Sequence, residues 1–250
     1  MRLSFRLLVF MMALLGCVVA LAVPMPRGKE KEHEGKAVDS GSFGVFQNGH
    51  RVGTETFSIY ETGGGSVIHS EFKTENTPPD VQTSEMELNS KGEIRRYEWK
   101  ELSPGSAHYT VLPNGEFLNQ KWSAGAGDKE HEKPYLLPAS TSILDDYFFV
   151  HREVLAWKFL GMVCKQDKGP LQCPLKERTL FGTMDPHQQS SASVSAEFLG
   201  REKVSLKSGL QDLIKLELKN DAGTWQLWLD DQFKVMRISI VGENTTVDRD

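Results

Sequence analysis

From Phe43 onward the chain alternates apolar and polar residues in short runs, and nearly every run ends in a turn signal. Side chains of a strand point to opposite faces with a period of two, so the pattern predicts strands packed on one side and wetted on the other. Phe43 and Val45 lead to Asn48-Gly49, a two-residue hairpin signal, and Thr56-Phe57-Ser58-Ile59 resumes the alternation. Gly63-Gly64-Gly65 separates that run from Val67–Phe72. Ser84–Leu88 and Ile94–Trp99 flank a turn at Asn89–Gly92, and His108–Leu112 and Phe117-Leu118 flank Pro113-Asn114-Gly115. Residues 123–138, rich in Gly, Lys, Glu, His and Pro, read as a surface loop. Thr179–Phe181, Ser193–Phe198 and Asp212–Leu218 continue the strands, and a hairpin closes the series: Thr224–Leu229, Asp230–Gln232, Lys234–Ile240. There is no internal repeat beyond this recurrence of strand, polar turn and strand.

One segment breaks the pattern. Ser142 to Phe159 reads as a helix: Ser142 or a neighbouring threonine can cap it, Asp145 and Asp146 suit the positive end of its dipole, and Tyr147, Phe148, Val150, Val154, Leu155, Trp157 and Phe159 give a broad apolar stripe. A helix so rich in aromatics needs cover. The fold class expected is therefore mainly β, a curved antiparallel sheet or half-barrel covered by a central α-helix.

The N-terminus gives an address. Arg2 and Arg6 precede an apolar run from Leu7 to Val19, and Ala20-Leu21-Ala22 closes it, the layout of a signal peptide cleaved after Ala22. Leu14-Leu15-Gly16-Cys17 offers the alternative of a lipoprotein anchored through Cys17. Residues 23–40, with the charged run Arg27–Lys36, read as a flexible linker, and 41–250 as a single β domain with no membrane span in the mature chain. The expected location is exported, periplasmic or extracellular. Loss of Arg2 and Arg6 takes the formal charge of −5 down to −7, and no basic cluster interleaved with aromatics offsets it, which disfavours nucleic acid as a partner. Cys164 and Cys173 remain as an even pair around Gly169-Pro170, expected to form a disulfide in an oxidising compartment.

Signatures of catalysis are missing. His131-Glu132 lacks a second histidine one turn on, Gly41-Ser42-Phe43-Gly44 is not a strand-to-helix elbow, and Gly63-Gly64-Gly65 has no following lysine and helix. Asp145, Asp146, His151 and Glu153 read as a charge complement and solvated face of the helix, and Asp230-Asp231 as turn chemistry. The chain is read as a non-enzyme with no catalytic residues, no metal site and no cofactor. The aromatics Tyr97, Trp99, Tyr147, Phe148, Trp157, Phe159, Trp225 and Trp228 fall on strands or on the helix above them, either as ordinary core or as the lining of a ligand cavity.

The order of elements, the start Gly44-Val45-Phe46-Gln47-Asn48-Gly49 with Arg51-Val52-Gly53, the helix from Ser142 and the late Trp225–Asp230 hairpin resemble uncharacterised secreted bacterial β-domains. Their fold is similar to the outer-membrane lipoprotein carriers, a half-barrel closed by a helix. The resemblance covers roughly 41 to 248. It implies a cell-envelope setting and carries no catalytic residues. The expectation is a non-catalytic envelope protein that binds a lipid or a partner's acyl chain in the half-barrel. The alternative is an interaction or scaffolding protein with a self-filled core that meets its partners along its sheet edges.

Overall fold

A computed structural model of the chain describes residues 35–165 and 171–250. The expected leader, its cleavage site at Ala22, Cys17 and residues 23–34 of the linker lie outside these. The alternating runs form strands β1 (Lys36–Gln47), β2 (His50–Thr62), β3 (Gly65–Thr74), β4 (Val81–Asn89), β5 (Ile94–Ser103), β6 (His108–Asn114), β7 (Phe117–Ser123) and β8 (His131–Tyr135). After β9 (Ser142–Ile143) comes the helix α1 (Val150–Val163), followed by β10 (Arg178–Asp185), β11 (Ser190–Leu206), β12 (Gly209–Asn220), β13 (Gly223–Leu229), β14 (Val235–Ile240) and β15 (Thr245–Arg249). All pair in one sheet, ordered β8-β7-β6-β5-β4-β3-β2-β1-β15-β14-β13-β12-β11-β10-β9.

Two meanders thus join where the last strand pairs with the first, Val45 opposite Val247. The strand pairs are antiparallel except β9 with β10, which run parallel because the chain between them crosses over through α1. The ends of the strand order approach each other: Gln120 Nε2 on β7 donates to the Pro186 carbonyl at 2.7 Å and Lys133 Nζ on β8 to that of Gln189 at 3.3 Å, both in the β10–β11 turn. The hairpin at Asn48-Gly49 forms as expected, both residues with positive φ of 50° and 78°.

Three expectations change. Residues 36–40, placed in the linker, already belong to β1. The expected loop at 123–138 contains β8, which pairs with β7 from Leu118↔Tyr135 to Trp122↔His131; its polar residues stay exposed because it is an edge strand. The helix does not begin at Ser142. Ser142 and Ile143 pair with Thr183 and Met184, the Leu144 N–H bonds to the Met184 carbonyl, and α1 starts only at Val150.

One core gathers both meanders and the helix. Phe43, Ile59, Ile68, Tyr97 and Leu118 meet Met184, Leu216, Leu227, Ile238 and Val247, with Phe148, Leu155 and Phe159 among them. A smaller cluster of Val204, Leu213 and Trp228 packs apart from it. No described helix is long and apolar enough to cross a membrane.

Candidate functional site

The core-facing sides of several strands carry charge. On β2 the inward positions are Glu55, Phe57 and Ile59, so period two alone delivers a carboxylate to the core. The first N–H groups of a helix have no partner within it, and the N-cap residue Phe149 makes no side-chain cap. Glu55 supplies the cap from a distant strand: it accepts the N–H of Phe149 at 2.7 Å, that of Val150 at 3.3 Å, and the Ser70 hydroxyl at 2.6 Å. Burial pushes its carboxyl up to about 7, against the opposing pull of those hydrogen bonds.

Beside it lies a second polar group. Asp145 Oδ2 accepts the Tyr97 hydroxyl at 2.6 Å and sits 2.7 Å from His187 Nδ1, while Oδ1 accepts the Tyr147 N–H. Burial alone would raise the Asp145 carboxyl, but the bond and charge of His187 outweigh it and hold the carboxyl below its usual range. The His187 ring lies against Trp99, Tyr147 and Tyr109, with centroids 4.4, 4.7 and 5.0 Å away. An imidazole oriented by a carboxylate is half of a catalytic relay, which also needs a nucleophile on the other nitrogen. His187 Nε2 is buried with no hydrogen-bond partner among the described residues. His151, wedged against Tyr97 and Phe148, has both ring nitrogens unpartnered among the described residues, and burial pushes it down to about 4, so it is a neutral core group. The solvated helix face expected for Asp145, His151 and Glu153 is therefore corrected: all three are buried, and of that set only Asp146 is exposed.

The eight aromatics expected at one cavity separate. Tyr97, Trp99, Tyr147 and Phe148 surround the Asp145, His187 and His151 cluster. Phe159 is wholly buried in the core, and Trp225 lies half-buried under the Arg152 guanidinium, 5.2 Å from its ring. Trp228, three residues from Trp225, points to the opposite face of β13, where its indole N–H donates to Glu202 and Lys215 lies over its ring.

Of the eight, Trp157 lines a cavity of about 360 Å³, formed with Leu160, Gly161 and Cys164 of α1, Val38 of β1, Leu171, and Gln232, Phe233 and Lys234 of the β13–β14 turn. The sequence builds it from small parts. Gly161 leaves room, since a Cβ there meets nothing within 4 Å. The Cys164–Cys173 disulfide closes the loop that carries Leu171. Asp230 shapes the turn by accepting the N–H groups of Gln232 and Lys234. Phe233 has φ of 64°, a left-handed conformation costly for a bulky residue, and its carbonyl accepts the Trp157 indole N–H at 2.6 Å.

Next to the cavity, Lys234 Nζ meets Asp39 Oδ1 at 2.8 Å and Arg249 Nη2 meets Asp39 Oδ2 at 2.5 Å and Glu153 Oε2 at 3.1 Å. Burial would raise Asp39, but bonds from Arg249, Glu153 and Lys234 bring it to about 2, whereas burial pushes Glu153 well up. Asp39 and Arg249 share the inward parity of Phe43 and Val247, the signal by which both can be read from sequence. Among the described residues no group of three or more His, Cys, Asp or Glu side chains is placed to hold a metal ion.

No protein-family model matches the chain, and neither does any curated protein sequence. A solved structure does: the crystal structure of a beta-barrel-like protein of domain of unknown function DUF1849 from Brucella abortus, with a TM-score of 0.52 and 7% sequence identity over 85% of this chain and 93% of that one. At that identity the likeness concerns the fold: an uncharacterised, beta-barrel-like architecture.

Proposed function

We propose that this protein is a non-catalytic cell-envelope protein that binds an apolar ligand, a lipid or acyl chain, in the cavity at the C-terminal half of α1. The observation that carries the reading is the cavity itself, about 360 Å³ and walled by Val38, Trp157, Leu160, Leu171 and Phe233; small-molecule pockets run from roughly 300 to 1,000 Å³ and are mostly apolar. In this reading the sheet is a half-barrel and α1 its cover. Contacts to the α1 region from Glu55 on β2, Tyr97 on β5, Arg249 on β15 and Phe233 in the β13–β14 turn support it. The Cys164–Cys173 disulfide supports export, since such bonds persist in oxidising compartments.

A second reading, scaffolding by a self-filled core, is favoured by Tyr97, Phe148 and Phe159, each with no exposed surface. One substitution separates the two. Gly161→Leu fills the cavity, and replacing a helical glycine gains about 0.5–1 kcal/mol of helix propensity. The wild type is expected to bind the neutral probe N-phenyl-1-naphthylamine with quenching of Trp157 emission, and Gly161→Leu to lose both while melting no lower. Equal binding by the variant removes the pocket as the site, and absence of binding by the wild type favours the scaffold.

A further inference from the structure

The cavity has one polar corner. Gln232 and Lys234 line it side by side on the β13–β14 turn, and the remaining wall residues other than Gly161 are apolar or half-cystine. Behind that corner lies a buried cluster of charged side chains. Lys234 and Arg249 are two cations gathered on Asp39, whose side chain is wholly buried. The fourth member, Glu153, is also wholly buried and bonded to Arg249, and burial together with the neighbouring Asp39 pushes its carboxyl well up. Arg249 bonds both carboxylates, and Lys234 reaches Asp39 from the cavity side. Arg249 is nearly covered, with 10% side-chain exposure, whereas Lys234 keeps 31%, so of the two cations it is the Lys234 ammonium that meets the cavity and solvent.

Taking the proposed pocket as the site, we infer that its ligand is a single-chain amphiphile with an anionic head, a fatty acid being the simplest, the tail lying against Trp157, Leu160 and Leu171 and the head meeting Lys234 and Gln232. A volume of about 360 Å³ lies near the lower end of the range for ligand sites, which suits one chain rather than two. An ammonium is a point charge and does not demand a planar partner, so carboxylate and phosphate heads are both admitted.

The test compares dodecanoate, dodecyl phosphate and dodecanol by displacement of N-phenyl-1-naphthylamine at pH 8, below their aggregation concentrations. Either anion, or both, is expected to bind roughly fivefold or more tightly than dodecanol, the scale of one charge-assisted contact in a partly wet site. Lys234→Met is expected to bring the anions to within twofold of dodecanol, and Lys234→Arg to restore the preference. Melting temperature shows whether the Met variant folds, and if it does not, the Arg variant and the wild-type series carry the decision. Equal wild-type binding of all three ligands overturns the anionic head and leaves the apolar pocket standing. Failure of all three to bind overturns the pocket reading instead.

Discussion

Glu55 sits on the core side of β2 with its carboxylate on the first N–H groups of a helix that starts 95 residues later in the chain. Its upward shift, from 4.5 to about 7, means that the folded state holds the proton more tightly than the unfolded chain. Its contribution to stability is full below pH 4.5 and is lost as pH rises through 7, about 3 kcal/mol in all. Urea unfolding of Glu55→Gln is expected to lack this loss between pH 5 and 8. Glu55→Ala, which strands two buried N–H groups, is expected to cost about 2–3 kcal/mol at pH 5 and less at pH 8, where the wild type has itself lost stability. His151 slopes the other way: with its pKa lowered from 6.5 to about 4, its contribution is present above pH 6.5 and is lost as pH falls through 4. His151→Phe, which replaces two unpartnered nitrogens, is expected to gain about 2 kcal/mol more at pH 4.5 than at pH 7.5, read by the same unfolding curves. Glu55 was legible, because parity with Phe57 and Ile59 is written in the sequence. His187 was not: it lies in the β10–β11 turn and meets Asp145, 42 residues earlier, only once the sheet has brought both together.

At the scale of elements, the helix shows how local preference yields to pairing. Ser142 and the acids behind it look like a helix start, yet Ser142 and Ile143 gain more by extending β10's edge, and the turn through Asp145 delays the helix to Val150. The helix was readable from Val150, Leu155 and Phe159, which are buried as the stripe expects, although Tyr147 and Phe148 precede α1 and His151, Arg152 and Glu153 are buried as well. Its first residue was not, because the cap comes from another strand. The loop that follows α1 is closed by Cys164–Cys173. For so short a loop the chain-entropy model gives roughly 2–3 kcal/mol, so the Cys164→Ser, Cys173→Ser double variant is expected to lose about that much and to weaken probe binding through Leu171, as titration of N-phenyl-1-naphthylamine would show. In the β13–β14 turn, Phe233 occupies a conformation suited to glycine. Phe233→Gly and Phe233→Ala lose the same ring, so the glycine variant is expected to be about 1 kcal/mol the more stable by thermal melting, the cost of a left-handed alanine.

For the molecule as a whole, the opposing slopes of Glu55 and His151 fall in overlapping pH ranges and largely offset each other. Asp185, raised by burial and by its neighbours Asp145 and Asp146 to about 7, adds to the direction of Glu55. The wild type is therefore expected to lose stability from pH 5 to 8, which chemical denaturation at the two pH values would show. The mainly β class was legible from alternation and turns, whereas the pairing of β1 with β15 was not, since nothing local to either strand names its partner. The same connectivity decides how the chain treats its neighbours. Of the fifteen strands among the described residues only β8 and β9 lack a partner on one side; the first is five residues in which Glu132 and Lys133 precede Pro134, and the second is two residues long. A row so brief and so charged offers little template for another copy to add to, so crowded molecules of this protein should resist polymerising even though most of their described backbone is strand.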